Sequence, residues 1–148
     1  MAGPRDVCAF KRYNQSLHPP RTAMPVLALD HVNIRVAPEL LETVLSFYLN
    51  VVGLREGFRP PFGSTGHWLY AGAHAVIHLS VLRPNESPPR PGGTVDHIAF
   101  HCRDLEATCA RLHALGQPYR RTEVPHTRQH QLFLRDPAGN GVELNFDA

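Results

Sequence analysis

At 148 residues, with 43% hydrophobic and 19% charged side chains, the chain can bury one core and is neither fibrous nor disordered in composition. A formal net charge of +2 without a basic run argues against nucleic acid or an anionic membrane as partner, and no apolar run reaches the length of a membrane span. Three cysteines without a CxxC pair point to a reduced, cytoplasmic setting, and ten histidines direct attention to metal or acid–base chemistry.

Residues 1–25 carry basic residues and few acids, lack the apolar core of a secretory signal, and are expected to form a flexible N-terminal extension. Residues 26–148 read as a single domain. Its first strand is LDHVNIRV, Leu29 to Val36, where β-branched residues alternate with polar ones. Leu40, Leu41, Val44, Leu45, Tyr48 and Val52 then recur at helical spacing, and Gly53 is the stop signal. Short strand-like runs follow, ending in HAVIHLSVL. The stretch RPNESPPRPGGT, Arg83 to Thr94, is too rich in proline and glycine for a helix or a central strand and reads as a linker. Beyond it the order repeats. VDHIAFHC, Val95 to Cys102, is a strand with the same Asp-His opening. Leu105, Cys109, Leu112 and Leu115 define a helix with Asp104 at its N-cap and Gly116 at its end, and the last runs finish in NGVELNF. The chain thus holds two modules, 27–82 and 94–148, each strand–helix–strand–strand–strand. Neither module easily buries its own sheet face. Placed side by side they form an α+β fold: two βαβββ modules making a curved mixed sheet, helices on the outer face and a cup on the inner one.

Alternation assigns faces. Val32, Ile34 and Val36 belong under the helix, which turns His31, Asn33 and Arg35 to the cup. In the same way His97 and His101 face the cup from VDHIAFHC, His78 from AVIHLSV, and Glu143 and Asn145 from GVELNF. A lone strand histidine is usually a hydrogen-bonded core residue. Here His31 and His97 on the opening strands, and His78 and Glu143 on the closing strands, occupy equivalent places in the two modules. A carboxylate between core positions is costly unless it is paired or binds metal. Neutral imidazoles with one carboxylate suit a divalent transition metal, Zn, Fe, Mn, Ni or Co. In the middle strands Trp68, Tyr70, Gln131 and Phe133 line the cup if Leu69, Leu132 and Leu134 pack under the helices. The turn RDPAGNG reads as a tight hairpin that aims Glu143 into the cup.

The pieces LDHVNIRV, SFYLNVVGL, AVIHLSV, VDHIAFHC and FLRDPAGNGVELNF resemble the vicinal oxygen chelate superfamily, the glyoxalase, bleomycin resistance and extradiol dioxygenase proteins, over Leu27 to the C-terminus. The resemblance implies the glyoxalase-like fold of paired βαβββ modules around a cup. It puts His31, His97 and Glu143 on metal-ligand positions and His78 on the fourth, where glyoxalase I has a glutamate. It implies a metal-dependent enzyme that chelates vicinal oxygens of a small-molecule substrate and stabilises an enolate or catecholate. With His78 bound, the site resembles an isomerase or lyase centre. With His78 free, His31, His97 and Glu143 form the triad of an Fe(II) extradiol dioxygenase, and His78 or His101 serves as acid–base partner. Some relatives only sequester a drug. Asn33, Arg35, Trp68, Tyr70, Gln131, Phe133 and Asn145 are the candidate substrate contacts. Family members often complete their sites with a second chain, so a homodimer is expected.

Overall fold

A computed structural model describes residues 28–87, 95–125, 127 and 129–147. The N-terminal extension and most of the proline-rich linker lie outside the described residues. In the first module β1, Val32–Val36, leads into a helix with three geometries in succession. It opens as a 3-10 turn, Pro38–Leu40, becomes α-helical over Leu41–Ser46 (α1), and closes as a π-helical segment, Phe47–Val52. Pro38 suits the first turn because its missing N–H has no partner there in any case. Gly53 ends the helix at φ 90°, a left-handed conformation that costs glycine nothing, and its N–H donates to the Tyr48 carbonyl.

Three strands complete the module: β2 Arg55–Glu56, β3 Gly66–Ala71 and β4 His74–Val81. The second module has β5 His97–Cys102, α2 Leu105–Ala114, β6 Arg120–Glu123, β7 His130–Arg135 and β8 Gly141–Phe146. Asp104 stands at the N-cap of α2 as expected, but in a left-handed conformation at φ 59° and with no side-chain cap hydrogen bond.

Each module makes its own four-stranded mixed sheet, in the orders β1-β4-β3-β2 and β5-β8-β7-β6. The registers match. His78 stands beside Asn33 on the parallel neighbour and opposite Trp68 on the antiparallel one. Glu143 stands beside Ala99 and opposite Phe133. His78 and Glu143 therefore occupy the same lattice position in the two sheets.

The apolar faces fall as alternation predicts. Ile34, Val36, Leu69, Ile77 and Leu79 of one sheet and Leu132, Leu134, Val142, Leu144 and Phe146 of the other are buried. Together with Val44, Leu45, Tyr48 and Leu112 from the helices they form one continuous core. The hydrophobic effect thus joins the modules through their helix-side faces and leaves both polar sheet faces turned away from that core.

A buried polar tie reinforces this join. The Tyr48 hydroxyl, inside the helix of the first module, donates to Asp136 Oδ2 at 3.0 Å in the β7–β8 turn. Asn140 supplies the remaining donors, its backbone N–H to Oδ1 and its side-chain amide to Oδ2, each at 2.8 Å. Burial and the Asp136 charge push the Tyr48 hydroxyl far above the usual tyrosine range, so it stays a donor at any ordinary pH. Of the small residues in RDPAGNG only Gly139 takes positive φ. Gly141 serves another purpose: a Cβ there would lie 2.1 Å from the Asp96 carbonyl, so glycine lets the Asp96-His97 segment sit against β8.

Candidate functional site

The repeated Asp-His opening has one geometry in both modules. His31 Nδ1 donates to Asp30 Oδ2 at 2.7 Å, and His97 Nδ1 donates to Asp96 Oδ2 at 2.8 Å. Those hydrogen bonds are the main cause that holds each aspartate below the usual carboxylate range. A carboxylate on one ring nitrogen sets the tautomer and the ring orientation, and it leaves Nε2 as the free lone pair.

In the second module that lone pair has a destination. His97 Nε2 lies 2.9 Å from Glu143 Oε2, and Glu143 is only 4% exposed. With its Nδ1 proton directed at Asp96, a neutral His97 has no proton for Glu143. Two lone pairs then face each other, and only a shared cation, a second proton or a metal ion, makes the contact favourable. The spacing fits either choice: it is an ordinary charge-assisted hydrogen-bond length, and neighbouring ligands on one ion with bonds of roughly 2.1 Å also stand about 3 Å apart. The other Glu143 oxygen accepts from Gln131 Nε2 at 2.7 Å, and Gln131 Oε1 accepts from Thr122 Oγ1 at 3.4 Å. Phe133 packs edge-on against the His97 ring, with the Arg120 guanidinium over its other contact surface at 4.5 Å.

In the first module the rings are stacked. His78 lies parallel to Trp68, 1° between planes and 4.0 Å between centroids. Its other face meets His31 at 3.8 Å and 22°. The cross-strand pairing of Trp68 with His78 produces the stack directly. Nearly parallel rings aim their nitrogens along parallel lines, so His31 and His78 do not converge on one ion as they stand. His78 Nε2 is buried without a hydrogen-bond partner. Burial, followed by the neighbouring His31, lowers the His78 pKa, with Arg59 adding to the effect and Asp30 opposing it. His31, His78, Trp68 and Asn33 line a cleft of about 580 Å³ with Arg59 and Phe62.

The other expected contacts divide. Asn33 stays in the cleft, where its Oδ1 accepts from Ser80. Arg35 is ion-paired with Glu86. The Tyr70 hydroxyl donates to the Phe58 carbonyl at 2.7 Å and so anchors a loop. Asn145 Oδ1 is buried without a partner. His101 is exposed and pairs with Asp147 at 2.8 Å. Gln131 turns to Glu143 rather than to open space. The four metal candidates come together in two pairs, His31 with His78 and His97 with Glu143. Among the described residues no set of three or more His, Cys, Asp or Glu side chains is gathered to hold one ion.

Asp30 and Asp96 escape the periodicity reading because they precede the strands; the Asp-His repeat was their signal. Arg59 and Phe62 sit in a loop that has no period.

Two βαβββ modules with matched registers, an Asp-oriented histidine opening each one, and clefts on the polar sheet faces define a paired-module ligand-binding fold. The chain belongs to the Glyoxalase/Bleomycin resistance protein/Dioxygenase superfamily, whose family model matches residues 28–144. No curated protein matches it. Among solved structures it is similar to a glyoxylase/bleomycin resistance protein/dioxygenase domain from Frankia sp. EAN1pec, at 19% identity and TM-score 0.63 over 83% of this chain and 93% of that one. An antibiotic binding protein from Streptomyces sp. CB03234 is 22% identical with TM-score 0.59, over 84% and 98%. A lactoylglutathione lyase from Agrobacterium tumefaciens is 24% identical with TM-score 0.54, over 83% and 96%. At these identities the likeness shows the fold. Among the described residues no helix is long and apolar enough to cross a membrane.

Proposed function

We propose that this chain is a metal-dependent enzyme that binds a small substrate through two adjacent oxygens, at a centre held by His31, His97 and Glu143. Because His31 and His97 line different clefts of one chain, the proposed set is completed in a homodimer: His31 from one copy, His97 and Glu143 from another. The observation that carries the reading is the 2.9 Å approach of His97 Nε2 to the buried Glu143 carboxylate while Nδ1 is already committed to Asp96. A divalent transition metal (Zn, Fe, Mn, Ni or Co) would supply Lewis-acid stabilisation of negative charge developing on the substrate oxygens.

The chain's own residues do the rest. Asp30 and Asp96 hold the two imidazoles in the tautomer that presents Nε2. Gln131 fixes the Glu143 carboxylate. Burial and the neighbouring His31 lower the His78 pKa and so favour its neutral ring, and its unpartnered Nε2 is the acceptor we assign to the proton of an ionising substrate hydroxyl. Trp68 holds that ring in place by stacking. This role for His78 favours the three-ligand set of two histidines and one carboxylate over a four-ligand centre. Membership of a family that holds enzymes and binding proteins leaves a second reading, a sequestering module. The stacked Trp68–His78–His31 rings favour it, because their row of aromatic edges can take a planar ligand without a metal.

Metal analysis of untagged protein, followed by assays on the loaded sample, tests the proposal. The expected result is bound transition metal and Fe(II)-dependent O₂ uptake with a catechol. Turnover of a hemithioacetal under Ni or Zn instead would restore His78 as a ligand. Tight ligand binding with neither metal nor turnover would establish the sequestering reading.

A further inference from the structure

The first-module cleft holds a positive charge that the chemistry above does not use. Arg59 is half-buried in the wall of the cleft, beside Phe62, Trp68 and His78. Its one side-chain hydrogen bond goes to a neutral group, Ser64 Oγ at 3.1 Å, and its guanidinium lies 5.0 Å from the Phe62 ring centroid. Among the described residues it has no carboxylate partner, whereas Arg35 is paired with Glu86 and Arg121 with Glu106. The other charge in the cleft wall, Asp30, is occupied by His31. A guanidinium offers five donors in a planar fork, and a partly desolvated one without an anion is costly.

The loop that carries Arg59 is fixed from below. The Tyr70 hydroxyl holds the Phe58 carbonyl, and the Gly57 N–H donates to the Trp68 carbonyl at 3.1 Å. The Tyr70 ring lies so close that a Cβ on Gly57 would come within 2.6 Å of it. Arg59 is therefore positioned before any ligand arrives. Between it and His31 runs an aromatic wall, Phe62 tilted at 43° against Trp68 with 5.9 Å between centroids, then Trp68 parallel to His78.

We infer that the cleft recognises a planar substrate carrying a carboxylate, lying across the edges of the Trp68–His78–His31 stack, with its adjacent oxygens at the His31 end and its carboxylate on Arg59. The assignment builds on the metal centre proposed above and adds the substrate class. Trp68 is the single tryptophan of the chain, so its fluorescence reports occupancy of this cleft alone. The test titrates full-length protein with 3,4-dihydroxybenzoate and with its neutral isostere 3,4-dihydroxybenzamide, and measures metal content on the same samples. The carboxylate should bind on the order of tenfold tighter than the amide, the worth of a charge-assisted pair. Arg59→Gln should erase that preference and Arg59→Lys should keep part of it. Equal binding of the two probes, no binding of either, or a preference that survives Arg59→Gln overturns the inference. Metal-free protein that still shows an Arg59-dependent preference overturns the metal centre and leaves the substrate class standing. Metal-loaded protein without the preference does the reverse.

Discussion

The Asp-His repeat fixes the orientation of two half-exposed imidazoles. Each aspartate fixes Nδ1–H, so each ring presents Nε2 in a defined direction rather than sampling both tautomers. Asp96 is exposed, so its worth lies in orientation and not in stability. Asp96→Ala is expected to weaken metal binding by roughly 10–100-fold while leaving the fold intact. Asp96→Asn keeps an acceptor for Nδ1–H and should recover most of that loss. Isothermal titration with Zn(II) reads both values, and an Asp96→Ala protein with wild-type affinity contradicts the orienting role. His31, His97 and Glu143 are singled out in the sequence because alternation and the module repeat both point to them. Asp30 and Asp96 carry no alternation signal, and only the repeated Asp-His pair marks them.

At the scale of elements, period-two alternation predicts the apolar side of β1, β3, β4, β5, β7 and β8, and the helical stripes predict both helices. Contacts between modules have no period and are not legible that way. Tyr48 reads as one more apolar position of the first helix, and Asp136 as a turn residue. The structure brings them together as a buried hydrogen bond that bolts the helix of one module to the β7–β8 turn of the other. The π-helical geometry of Phe47–Val52 likewise leaves no trace in a 3.6-residue stripe. Tyr48→Phe removes one donor from a carboxylate that is 4% exposed. It should cost about 1–3 kcal/mol of unfolding free energy, the price of an under-satisfied buried group. Urea denaturation measures it as a lower midpoint at unchanged slope. Metal affinity should not change, because the tie lies on the helix side of the sheets. An unchanged midpoint would mean that water or Asn140 alone satisfies Asp136.

For the whole molecule, one core joins the helix-side faces of both sheets, and His31 and His97 line separate clefts. In the proposed centre each face supplies part of the ligand set, and among the described residues no three candidate ligands gather within one chain. The proposed dimer, in which each first module meets the other's second module, would complete both halves at once and give two equivalent centres by symmetry. Alternation separates the polar from the apolar side of these strands but says nothing of which modules share a cup, since that depends on how the cores merge. The most direct test is complementation between His31→Ala and His97→Ala chains, co-expressed with different tags so that only mixed dimers are recovered. Each variant alone should bind no transition metal. The mixed dimer should bind one ion, because one of its two centres regains an intact His31, His97 and Glu143. A mixed dimer as metal-free as its parents would contradict a centre shared between copies.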